Sequence, residues 1–130
     1  MDELACLIMD TSKKLKSNIT KRLRKYNITC RQSVVLKALE GKSLSAKRIT
    51  EICSMDKATL SIILSKLIEH GFVVSASNSN DKRENTYSLS QKGREVISNI
   101  MIVENEYKEE LLTRVSKDEY ENLLKLLTKI

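Results

Sequence analysis

Proline and tryptophan are absent from these 130 residues, phenylalanine and histidine occur once each, and glycine three times. Three glycines supply no glycine-rich phosphate loop and no nucleophile elbow, and one histidine supplies no His-based catalytic pair, so the composition argues against an enzyme. A core without Trp and with a single Phe has to be built from Leu and Ile. Cys6, Cys30 and Cys53 are an odd number without paired spacing, which indicates neither a disulfide framework nor a zinc cluster. No apolar run reaches membrane-spanning length, and Met1-Asp2-Glu3-Leu4 lacks the basic region and long apolar core of a secretory signal. These absences lead us to expect a cytoplasmic protein with no cofactor, no metal and no membrane association.

What is present is uneven charge. The formal net charge is +6. Residues 11–48 carry twelve Lys or Arg against one acidic residue, Glu40, whereas residues 91–130 carry seven basic and eight acidic side chains. A basic surface in the amino-terminal part is what neutralising nucleic-acid phosphates requires. A solvated helix face is the competing reading of the same residues.

The chain reads mostly as helix with one hairpin. Leu4, Ile8, Leu15, Ile19 and Leu23 form the stripe of a long amphipathic helix from Leu4 to about Tyr26. Asn27-Ile28 interrupts it, and Thr29-x-x-Gln32 is a capping box that opens a helix expected to bury Val34, Val35, Leu36, Ala38 and Leu39, closed by Gly41. Ser45 caps a shorter helix with Ile49 and Ile52, and Cys53-Ser54-Met55 makes a turn. Asp56 caps the next helix, to Glu69, with Leu60, Ile63, Leu64 and Leu67 inward. Two short helices joined this way are a helix-turn-helix.

Phe72-Val73-Val74 and Thr86-Tyr87-Ser88-Leu89 then flank a polar tip, which is a hairpin. Ser90 starts a long helix carrying Val96, Ile97, Ile100, Val103, Tyr107 and Leu111, and Ser116-x-x-Glu119 opens a last one with Tyr120, Leu123, Leu124 and Leu127. The expected fold class is mainly α with a small β-hairpin wing. The terminal helices hold more apolar residues than one small domain can cover, so they are expected to form a dimerisation region with a second copy; a monomeric bundle with the arms folded back onto their own domain is the competing reading.

With its elements in this order, the sequence resembles the MarR family of transcription regulators over nearly its whole length. The resemblance rests on Gly71-Phe72-Val73-Val74, Asp81-x-Arg83 and Tyr87-Ser88-Leu89-Ser90-Gln91-Lys92-Gly93-Arg94, which follow that family's wing pattern, and on Asn27-Ile28-Thr29-x-x-Gln32. It implies a single domain over 1–130, with 29–90 the winged-helix DNA-binding part and 1–28 and 91–130 the dimerisation helices. The partners implied are a pseudo-palindromic duplex operator and a small-molecule effector, the function that of a homodimeric repressor released by a small ligand or another signal such as an oxidant.

The candidate DNA-binding residues are Lys57, Ala58, Thr59, Ser61, Ile62, Ser65 and Lys66 on the outer side of the second motif helix. Thr59 and Ser61 can bond base edges or phosphates, Lys57 and Lys66 can reach backbone oxygens, and Ala58 or Ile62 can meet a thymine methyl. In the wing, Arg83 would enter a narrow minor groove, with Asp81 orienting it and Lys82 adding a phosphate contact. Cys6 stands near the position where the peroxide-sensing branch of the family carries its reactive cysteine, and is the candidate redox-sensing residue. No activating partner is evident beside it, and packing as a small apolar residue at the dimer interface is the competing reading. Cys30 and Cys53 read as structural. One histidine, His70, cannot anchor a His-rich zinc site.

Three features depart from the family pattern: Ile62 where a basic residue is common, Ser75 where Arg or Lys is common, and a wing without proline. They motivate an alternative function, a winged-helix protein-interaction module with weak or lost DNA binding.

Overall fold

The computed structural model describes residues 2–78 and 81–130, and of residues 78 and 81–83 it describes the backbone. The first helix, α1 (Glu3–Leu23), starts with the Asp2 carboxylate accepting from the Leu4 amide. It stops at Leu23 instead of running on to Tyr26. Arg24–Tyr26 tighten into a 3₁₀ turn closed by Asn27 at φ 62°, a left-handed conformation that Asn tolerates better than most residues.

Helix α2 (Cys30–Ala38) carries the expected capping box: Gln32 N donates to Thr29 Oγ1 at 3.2 Å and Thr29 N to Gln32 Oε1 at 3.0 Å. Val35, Leu36 and Leu39 are buried as expected, but Val34 is 42% exposed and Ala38 only half-buried. Gln32 and Ser33 take buried positions instead. They can do so because both are hydrogen-bonded locally, Gln32 in the box and the Ser33 hydroxyl to the Cys30 carbonyl at 2.6 Å. Gly41 has the positive φ its position demands.

Leu44–Ser45 form a two-residue strand, β1, in addition to the expected hairpin. Helix α3 (Ala46–Cys53) follows, capped by Ser45 Oγ, with Ile49 fully buried and Ile52 44% exposed. Helix α4 (Lys57–Glu69) buries Leu60, Ile63, Leu64 and Leu67. Strands β2 (Val73–Asn78) and β3 (Asp81–Leu89) form the hairpin, longer than its β-branched residues suggested. The sheet order is β1-β3-β2, antiparallel throughout, with Leu44 opposite Tyr87 and Val73 opposite Leu89.

Helix α5 (Gln91–Leu111) is capped by Ser90, whose hydroxyl also donates to the Gly71 carbonyl. Lys92 Nζ donates to the His70 carbonyl at 2.7 Å and lies 4.6 Å above the Phe72 ring, tying the start of α5 to the end of α4. The last helix, α6 (Lys117–Thr128), has the expected Ser116–Glu119 capping box. The core gathers Leu23, Leu36, Leu39, Ile49, Leu60, Leu67 and Ile100, so Leu and Ile do dominate it.

Arg22 joins α1 to α5 through Glu106 and Glu110, and Lys37 joins α2 to α5 through Glu104 at 2.8 Å. Beyond this core the arms remain bare. No residue of α6 is buried, and Leu4, Leu7, Ile8 and Met9 on α1 are exposed, as are Met101 and Ile102 on α5. Among the described residues, no helix is long and apolar enough to cross a membrane.

Candidate nucleic-acid interface

The turn between α3 and α4 sets the direction of α4. Ser54 takes φ 51°, and its amide and that of Met55 both return to the Thr50 carbonyl, so the chain leaves α3 sharply. Asp56 then caps α4, its carboxylate accepting from the Thr59 amide at 2.6 Å. The Thr59 amide and hydroxyl together hold the Asp56 carboxyl below the ordinary carboxylate range. The start of α4 is thereby fixed to the turn.

With four apolar residues of α4 turned inward, Lys57, Ala58, Ser61, Ile62, Ser65 and Lys66 are all exposed on its other side. Thr59 differs from the rest: it is half-buried, with its hydroxyl engaged by Asp56. Ile62 is 68% exposed, a large apolar side chain among small and polar neighbours. Lys66 reaches Glu69 at 4.0 Å, a loose surface pair that leaves its ammonium largely available.

The wing lies beside α4. Backbone pairing places Asp81 opposite Asn78, with an irregular register between Ser77 and Asn78. The side chains of the expected wing residues Asp81, Lys82 and Arg83 lie outside the described residues. Ser75 is exposed on β2 and pairs with Tyr87.

Two hollows flank the start of α4. One, between α3 and the wing, is lined by Ser45, Lys47, Thr50, Lys57, Asn85 and Tyr87 among others. The other lies on the opposite flank, where Lys16 of α1 and Arg31 of α2 meet Ser54, Asp56 and Thr59. Lys16, Arg31 and Lys47 all belong to the basic segment of residues 11–48, but their convergence on α4 depends on tertiary packing that no local pattern reveals. Cys30 and Cys53 line the second hollow too, and burial pushes both thiols up from their ordinary value, in Cys30 against the pull of Lys16 and Arg31. Cys6 is exposed near the start of α1, remote in sequence from this cluster. Among the described residues, no group of three or more His, Cys, Asp or Glu is placed to hold a metal.

Residues 14–100 match the family described as Transcriptional regulator SarA/Rot. The chain belongs to the SarA/Rot family of transcriptional regulators. The HTH-type transcriptional regulator SarZ of Staphylococcus aureus is 30% identical over 97 residues, which cover 74% of this chain. The match spans 66% of SarZ, just under two thirds of that relative's length.

The fold agrees with solved MarR structures. A variant of E. coli MarR bound to operator DNA superposes with a TM-score of 0.89 at 26% identity, covering 97% of this chain and 91% of that one. The S. aureus MepR–DNA complex gives 0.84 at 21% identity and full coverage of both chains. The resemblance to MarR and the winged-helix class are therefore borne out. The SarA/Rot family and these solved relatives are transcriptional regulators, not enzymes, and the MarR variant and MepR were solved bound to DNA.

Proposed function

We propose that this SarA/Rot chain acts as a homodimeric, sequence-specific repressor that binds a pseudo-palindromic duplex in the cytoplasm and is released by a small effector. The observation that carries the DNA-binding reading is the division of α4, with four apolar residues buried and a row of small, polar and basic side chains exposed. A helix of this kind fits the major groove, its amino-terminal residues nearest the base edges. Lys57, Ala58, Thr59, Ser61, Ile62, Ser65 and Lys66 are the proposed contacts there, and Asp81, Lys82 and Arg83 those of the wing.

Residues 29–90 would form the DNA-binding part of one domain, with 1–28 and 91–130 joining two copies. The bare apolar faces of α1 and α6 support that division: Leu123, Leu124 and Leu127 are 46%, 48% and 50% exposed, and covering each contributes on the order of 1 kcal/mol. An effector that prefers one spacing of the paired arms would shift the two α4 helices away from the spacing that the duplex requires.

The exposure of Ile62 favours a second reading, a winged-helix module that binds protein instead of DNA. Titration against a duplex of its own upstream region, over a range of salt concentrations, separates the two. Steep loss of affinity with salt is the regulator's signature, and no binding at low salt supports the module.

A further inference from the structure

The hollow that joins α1, α2 and the start of α4 brings two cations together from elements outside the helix-turn-helix. Lys16 and Arg31 are both exposed, and neither forms an ion pair within 4.0 Å among the described residues. They stand beside Asp56 and Thr59, at the end of α4 that goes deepest into a groove. A duplex whose major groove holds a helix presents a phosphate backbone on each side of it. On the other flank, the hollow by the wing offers Lys47 and Lys57 to one of those backbones.

Resting on the DNA-binding reading above, we propose that Lys16 and Arg31 bind the second phosphate backbone, so that the arm helix α1 itself touches the duplex. Asp56 is the one carboxylate lining this hollow, and its charge opposes a phosphate. Its oxygens are engaged by Thr59, and Arg31 is close enough to act on it electrostatically. Lys16 then supplies the uncompensated positive charge. Because α1 also belongs to the proposed dimer arm, any rotation of the arm would move a phosphate contact directly.

The test is the slope of log affinity against log salt for a duplex of the chain's own upstream region. Lys16→Ala and Arg31→Ala should each reduce the slope by about one. Lys14→Ala, on a different face of α1 where it lines a hollow with Lys13 and Lys21, should leave it unchanged and so controls for net charge. A second readout uses the native thiols: bound duplex should slow alkylation of Cys30, in the hollow, and not that of exposed Cys6. Wild-type slopes in both Lys16→Ala and Arg31→Ala, or Cys30 alkylated equally fast on DNA, overturn the proposal while wild-type binding stands. Absence of salt-dependent binding by the unaltered chain removes the DNA-binding reading as well.

Discussion

Gly93 lies against the backbone of Phe72 so closely that any Cβ at position 93 would be driven into the Phe72 carbonyl oxygen and against the Leu89 side chain. The same carbonyl accepts from the Ser90 amide at 3.0 Å, so moving it aside would strain or break that bond. Gly93→Ala should therefore cost about 2 kcal/mol or more, as overpacking a fixed site does. Denaturant unfolding checks this, and wild-type stability would show that the hairpin and α5 are less firmly joined than the geometry indicates.

Asp56 makes stability depend on pH. Its carboxyl is held below the ordinary 3.8, first by the Thr59 amide and then by the Thr59 hydroxyl. A depressed carboxylate contributes stability that is present above its unfolded value and is lost as pH falls through its folded value. Asp56→Asn keeps an acceptor oxygen but no charge, so the gap in melting temperature between wild type and variant should hold steady above about pH 5 and shrink as the pH falls below the ordinary 3.8. A constant gap would mean that the charge contributes nothing to the cap.

The legible part of this fold was the local part. Thr29, Ser45, Asp56, Ser90 and Ser116 all cap the helices expected of them, because a cap needs only an amide three residues away. Strand β1 was hidden because Leu44-Ser45 is held by Tyr87 and Thr86, far along the chain. Ser75-Ala76-Ser77 carries little strand propensity, so β2 looked shorter than its pairing with β3 makes it. In α2 the run Val34-Val35-Leu36 offered no single apolar face, and only packing against α3 and α5 decides that Val34 stays outside. At the candidate interface the inward and outward sides of α4 were readable from the spacing of Leu60, Ile63, Leu64 and Leu67. The approach of Lys16 and Arg31 was not, since it joins three elements.

Helix α6 carries much of the proposed dimer contact. Replacing Leu124 and Leu127 together by Asp puts charge into the proposed contact, and neither side chain is buried in the single chain. The expected outcome in sedimentation is a folded monomer with weakened operator binding. An unchanged mass would place the dimer contact elsewhere.

For the wing, Arg83→Ala should weaken binding to the upstream duplex on the order of tenfold or more while leaving the dimer intact. Unchanged affinity would remove the wing from recognition and leave α4 to act alone.

Two chains on one duplex, one α4 in each of two successive major-groove faces, is the arrangement on which the functional reading depends. Footprinting combined with binding stoichiometry on the upstream duplex tests it most directly. The expected result is two chains per site and two protected half-sites with centres about 34 Å apart, one helical turn. One chain per site, or a single protected half-site, would contradict it.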